Sequence, residues 1–161
     1  MTAHEQPTMT PERLVGIGFR GWLSGGYQYE EIACWEKVWN TYAVALGSRA
    51  AKCALSELSV WVREVRCVAC RKIEIYPPGC KYFCRDEHLA MSLIAACQHD
   101  RCPALRACAF ALLGTSRFDV MLYEARNFAD QLAACNQLMS PTAICNIAEI
   151  TASIPSNRSR H

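Results

Sequence analysis

The sequence lacks a long hydrophobic run. Its longest apolar stretch, Leu89 to Cys97, is far shorter than the roughly 20 residues that a helix needs to cross a membrane, and Arg106 divides the next one. The N-terminus also lacks the basic and continuous apolar regions of a secretory signal, because His4 and Glu5 come early. We therefore expect a cytoplasmic protein with no membrane partner.

Common enzyme motifs are also missing. The sequence has no His-Glu-x-x-His, no Gly-x-Ser-x-Gly and no P-loop motif, so a non-enzymatic role is favoured. Gly16-x-Gly18-x-x-Gly21 matches the dinucleotide-binding fingerprint in letters only, because Thr10-Pro11 already begins a helix and no strand precedes it. We expect these glycines to allow close helix packing or to weaken the helix.

Charge of either sign is scarce, since only 20% of the residues are charged and the formal net charge is +2. The distribution is uneven: residues 49–85 hold eight basic and three acidic side chains, a net charge of +5, which leaves −3 on the remainder. A basic segment can attract nucleic acid, but a solvated helix face is the more frequent explanation. No DNA-reading helix stands out, so nucleic acid is not the favoured partner.

The pattern of apolar residues predicts an all-α protein. At 161 residues and 52% hydrophobic composition, the chain can bury the core of a single domain. Apolar residues recur at three- and four-residue spacing in seven segments, which predicts about seven helices in an orthogonal or bundle-like domain over residues 10–154. Residues 1–9 and 155–161 read as flexible tails. One irregular loop is expected, because Ile73 and Ile75 alternate like a short strand and Pro77-Pro78-Gly79 forbids a helix.

Cysteine is the residue type that the sequence has in excess. Seven of the 11 cysteines fall between Cys67 and Cys108, and His88 and His99 lie among them. In a reducing compartment such thiols are free, metal-bound or redox-active more often than paired in disulfides, and an odd number cannot pair completely within one chain.

The spacing of these residues predicts a zinc site. Zinc takes four sulfur or nitrogen donors at about 2.0 to 2.3 Å, commonly as two close pairs joined by a loop. Cys67 and Cys70 would share a face at the end of the third helix, which is expected to run to about Cys70. Cys84 and His88 would lie one turn apart on the fourth, with Cys80 as a spare donor or a replacement for His88. The alternative is that some of these thiols are merely small buried apolar groups.

A second group of donors follows the fourth helix. His99 and Cys102 could join Cys80 and Cys84 in a different metal site if the chain folds back. Cys102-Pro103 also resembles the short haem-regulatory motif, in which a thiolate binds ferric haem. Pro103 is explained more simply as the first residue of a helix.

The region from about Gly21 to Leu113 resembles small proteobacterial proteins of unassigned function. The similar stretches are residues 32–36, 79–87 and 102–108. The resemblance implies no activity, cofactor or site, and it favours only a bacterial cytosolic setting.

The sequence thus favours a non-enzymatic regulatory or adaptor protein with an unidentified protein partner and a zinc-bound middle segment. One alternative is a thiol-redox or haem-responsive sensor, and another is a basic nucleic-acid-binding module. The four tryptophans, Trp22, Trp35, Trp39 and Trp61, fall on or beside the apolar faces. We expect them to form part of the core or a partner-binding face.

Overall fold

A computed structural model describes residues 9–25 and 31–153, with side chains for residues 9–25 and 35–150. The tails predicted at 1–9 and 155–161 lie outside the described residues, except for Met9. The described ranges contain seven α-helices and no strand, which confirms the all-α prediction. In chain order the elements are α1 (Pro11–Ser24), α2 (Glu31–Leu46), α3 (Ser48–Val68), α4 (Arg85–Gln98), α5 (Cys102–Leu113), α6 (Asp119–Ala134), a 3-10 turn (Pro141–Ala143) and α7 (Ile147–Ser153). None of the helices in these ranges is long and apolar enough to cross a membrane.

Two helix ends are set by residues with a local preference for those positions. The Thr10 hydroxyl accepts a hydrogen bond from the Arg13 amide at 3.2 Å, and Pro11 occupies the first helical position of α1. Gly114 ends α5 in the left-handed conformation at φ 69°, which glycine adopts without a steric penalty.

Two helix boundaries differ from the prediction. The third helix ends at Val68, because Ala69 takes an extended backbone and the Cys70 amide donates to the Leu113 carbonyl at 2.8 Å instead of continuing the helix. The sequence predicts one short last helix that begins at Ser140-Pro141, but the structure divides it into the 3-10 turn and α7, since Ile144 is extended between them.

The core is organised around α4, which is buried along most of its length. This helix packs against α1, α5 and α6, while α3 packs against α2 and α6. Trp61 of α3 is fully buried, and its ring lies 5.5 Å from that of Phe19 and 5.6 Å from that of Phe128. One of the four tryptophans is therefore a core residue.

The glycines of α1 bring neighbouring side chains close to its backbone. A Cβ at each position would overlap neighbouring side chains: Phe83 at Gly16, Tyr42 and Leu58 at Gly18, and Val38 at Gly21. The expected close packing is therefore present, and it seats α1 against α2 and the loop before α4.

Candidate functional site

Residues 69–84, here called the connecting segment, join α3 to α4 without regular secondary structure. The side chains of Ile73 and Ile75 are half-buried and those of Lys72 and Glu74 are exposed, so the strand-like alternation is present although the described chain supplies no partner strand. Farther along, the Cys80 amide donates to the Pro77 carbonyl at 3.1 Å and closes the predicted Pro-Pro-Gly turn.

Asp86 holds the first half of the connecting segment. Its carboxylate accepts two hydrogen bonds from Arg71, at 3.1 and 3.0 Å, and a third from the Glu74 amide at 2.8 Å. Arg71 also donates to the Leu112 carbonyl at 2.9 Å, which ties the segment to α5. Paired donors of this kind fix both the position and the orientation of the arginine.

Glu87 holds the second half of the segment. Its fully buried carboxylate pairs with Arg20 of α1 and accepts hydrogen bonds from the amides of Tyr76, at 3.2 Å, and Cys84, at 2.9 Å. Burial by itself raises the pKa of Glu87, but the hydrogen bonds from Arg20 and Cys84 outweigh it and hold the pKa below its ordinary value.

The role of these two carboxylates as anchors was not predicted from the sequence. Asp86 and Glu87 are acids in the first turn of α4, where they also oppose the positive end of the helix dipole. One signal for such an anchor is present in the sequence. Arg20 is next to Phe19 on a helix with an apolar face, and an arginine buried on that face needs a buried carboxylate as its partner.

The seven predicted metal ligands are spread over the described chain. Cys67 is exposed on the last turn of α3, and Cys70 is exposed just beyond that helix. Cys80 is half-buried in the Pro-Pro-Gly turn, Cys84 directly precedes α4, and His88 is exposed on α4. His99 directly follows α4, and Cys102 is exposed at the start of α5.

Only part of the predicted ligand geometry is present. Cys84 and His88 are one turn apart, with the His88 amide donating to the Cys84 carbonyl at 2.9 Å. Cys67 and Cys70 do not share a helical face, because α3 ends between them. Within the described residues no group of three or more His, Cys, Asp or Glu side chains is arranged to hold a metal ion. The zinc site therefore stays a prediction for metal analysis to test.

The four donors of the alternative metal site, Cys80, Cys84, His99 and Cys102, are not brought together either. Cys80 and Cys84 lie before α4 and His99 lies after it, and a 14-residue helix is about 20 Å long at 1.5 Å per residue. His99 is also engaged elsewhere, since its Nε2 atom lies 2.6 Å from the Met139 carbonyl oxygen.

Burial disfavours the thiolate form of three cysteines. Burial raises the pKa of Cys97 to about 12 and that of Cys108 to about 11. Burial also raises the pKa of Cys84. A thiolate is the reactive form of cysteine, so these three thiols are poor nucleophiles at neutral pH.

Three cations of the basic segment serve the fold. Arg66 donates to the Trp22 carbonyl at 2.6 Å, Arg71 pairs with Asp86, and Arg85 lies 3.5 Å from the same carboxylate. These three side chains are positioned by internal contacts, which makes them less available to the phosphates of a nucleic acid.

An open groove lies between α1, α2 and α3, and its volume is about 410 Å³. We call it the tryptophan groove; its lining is Trp22, Trp35, Glu36, Trp39, Lys52, Leu55, Ser56 and Ser59. Trp35 and Trp39 are 39% and 38% exposed, and the rings of Trp22 and Trp35 are 4.0 Å apart. Three of the four tryptophan rings therefore line one groove, and their role as a partner-binding face stays a prediction.

The chain matches no protein-family model, and comparisons with curated proteins and with solved structures found no match. Function must therefore be argued from the residues and their geometry.

Proposed function

We propose that this chain is a cytosolic regulatory or adaptor protein that binds a partner protein through the tryptophan groove. The observation that carries the proposal is the clustering of Trp22, Trp35 and Trp39, two of which are about two-fifths exposed. Contiguous exposed apolar surface marks interaction sites, and tryptophan is enriched among the residues that dominate binding energy.

The lining of the groove indicates the chemistry of the partner. Three helices form its walls, as in the grooves that bind one face of an amphipathic helix. Glu36 and Lys52 place one charge of each sign beside the aromatic rings. The proposed occupant is therefore an amphipathic helix of a partner protein, with an apolar face toward the tryptophans and both acidic and basic side chains flanking that face.

The state of the cysteines supports a cytosolic setting. All ten cysteines whose side chains are described are free thiols, as is usual in a reducing compartment. The thiol-redox alternative has less support, because burial raises rather than lowers the pKa of Cys84, Cys97 and Cys108. The haem-responsive alternative rests on Cys102 and stays a prediction that the colour of the purified protein tests. The nucleic-acid alternative has less support because three of its cations have internal contacts; salt-dependent retention on nucleic acid would test it.

Binding studies on substituted proteins test the proposal. Proteins that the wild-type chain captures from a cell extract, and that the Trp39→Ala variant does not, would be identified by mass spectrometry. Each would then be purified and titrated against the wild-type chain and against the variants. We expect Trp35→Ala and Trp39→Ala to weaken binding at least tenfold. Tyr123→Ala, which removes an exposed aromatic ring from α6, should leave the affinity unchanged.

Two results would overturn this function. One is a purified partner that binds the tryptophan variants as tightly as the wild type. The other is a wild-type chain that captures nothing beyond what Trp39→Ala captures. Thermal melts of the variants establish that they are folded, which is expected because both tryptophans are partly exposed.

A further inference from the structure

A second cavity lies between α1, α2 and the Pro-Pro-Gly turn, and it shares no lining residue with the tryptophan groove. Its volume is about 240 Å³. We call it the basic pocket, and the lining residues used below are Arg13, Ile17, Arg20, Lys37, Val38 and Lys81.

Three of the four cations that line this pocket have no acidic partner among the described residues. No carboxylate of the described residues is part of the lining. Arg20 is neutralised by Glu87, but within the described chain Arg13, Lys37 and Lys81 make no ion pair. Cations that converge on a cavity without counter-charges attract an anion.

The wall of the pocket is fixed in place by a buried arginine. Arg20 is only 5% exposed and donates to the carbonyls of Cys80, at 2.8 Å, and Tyr82, at 2.7 Å. Its guanidinium is itself held by Glu87. The backbone before and after Lys81 is thereby ordered without a ligand, which lowers the entropic cost of binding.

The turn brings a second lysine to the mouth of the pocket. Gly79 has φ 84°, a left-handed conformation that side chains other than glycine rarely adopt. The ammonium group of Lys37, from α2, lies beside this glycine. Arg13 completes the set from α1, where its Nη1 atom donates to the Lys81 carbonyl at 3.5 Å.

We propose that the basic pocket binds a small phosphomonoester. A phosphate group carries nearly two negative charges and three strong acceptor oxygens, which suits the three cations Arg13, Lys37 and Lys81. Ile17 and Val38 supply apolar surface for the organic part of the ligand. The volume lies below the roughly 300 to 1,000 Å³ of drug-sized pockets, so the organic part is small.

Calorimetric titration with phenyl phosphate, inorganic phosphate, benzoate and phenol tests this proposal. We expect phenyl phosphate to bind most tightly, inorganic phosphate and benzoate to bind more weakly, and phenol to give no signal. Lys37→Ala and Lys81→Ala should each weaken phenyl phosphate binding about tenfold, because a charge-assisted contact is lost. Lys72→Ala removes an exposed lysine outside the pocket and should leave the affinity unchanged.

The two lysine substitutions are suitable tests because both side chains are exposed, so the variants should melt at the wild-type temperature. Undetectable binding of phenyl phosphate at millimolar concentration would overturn the proposal. Equal affinity in the wild type and the Lys37→Ala, Lys81→Ala double variant would overturn it as well. Tighter binding of benzoate than of phenyl phosphate would show that the ligand class is wrong. None of these outcomes bears on the tryptophan groove.

Discussion

Replacing Glu87 by Gln should strongly destabilise the fold. The substitution keeps the shape of the side chain but removes the charge that balances Arg20, which is buried beneath the connecting segment. The carboxylate also accepts hydrogen bonds from the amides of Tyr76 and Cys84. An amide group has one acceptor oxygen and two donor hydrogens, so it cannot satisfy all of these donors.

The magnitude follows from the burial of the pair. Removing one partner of a buried ion pair typically costs about 3 to 5 kcal/mol, because the other charge remains without compensation. Gln retains part of the hydrogen bonding, so we expect the free energy of unfolding to fall by about 3 kcal/mol. This is a large share of the roughly 5 to 15 kcal/mol that stabilises a domain. For a chain of this size the melting temperature should fall by about 6 to 12 °C.

Urea and thermal denaturation followed by circular dichroism at 222 nm measure the change. The matched control is Glu74→Gln, an exposed carboxylate in the same segment, which should change the free energy of unfolding by less than about 0.5 kcal/mol. An Arg20→Met, Glu87→Gln double variant should lose less stability than the two single losses added together, because the unpaired charge is gone. If Glu87→Gln matched Glu74→Gln within error, the assignment of Glu87 as an anchor would be refuted.

The pH dependence gives the same hypothesis a second test. The pKa of Glu87 is lower in the folded chain than its ordinary value of 4.5, so its contribution to stability is present above pH 4.5 and is lost as the pH falls below it. The stability difference between the wild type and Glu87→Gln should therefore shrink as the pH is lowered through this range. A difference that is constant from pH 7 to pH 3 would contradict the reasoning.

Three further predictions concern the thiols, the packing of α1 and the metal. Iodoacetamide should modify the exposed Cys67 well before Cys97, whose pKa is raised to about 12 by burial; peptide mass spectrometry gives the order, and early labelling of Cys97 would contradict it. Gly18→Ala should destabilise the protein by about 1 to 3 kcal/mol in urea, since its Cβ would overlap Tyr42, and a variant as stable as the wild type would contradict that packing. The zinc prediction is tested by elemental analysis of protein purified without a chelator: stoichiometric zinc that Cys84→Ser removes together with thermal stability would support it, and metal-free protein would end it.

The fold could be predicted from the sequence because its helices carry local signals. Thr10-Pro11 begins α1 as expected, and Gly114 ends α5. The end of the third helix was missed because the apolar pattern continues to Cys70, whereas a tertiary hydrogen bond from that residue to Leu113 draws the backbone away. Local patterns of apolar residues contain no information on such a contact, since the two residues are far apart in sequence.

The candidate sites were predictable to a smaller extent. Close spacing of cysteines and histidines indicates which donors are near in sequence, and it correctly placed Cys84 and His88 one turn apart. It cannot show that the connecting segment is already held by Asp86 and Glu87, because their partners lie on other elements. The basic pocket was missed for a related reason: Arg13, Lys37 and Lys81 come from three different parts of the chain.

The two proposed sites can be separated experimentally because of the periodicity of α2. Trp35 and Trp39 are four residues apart and therefore share a face of the helix, and the same is true of Lys37 and Thr41. The two pairs are offset by two residues, or about 200° around a helix with 3.6 residues per turn. Trp39→Ala should therefore leave phenyl phosphate binding intact, and Lys37→Ala should leave partner binding intact. A substitution that weakened both would show instead that it had disturbed α2 as a whole, which a thermal melt of the unliganded variant would reveal.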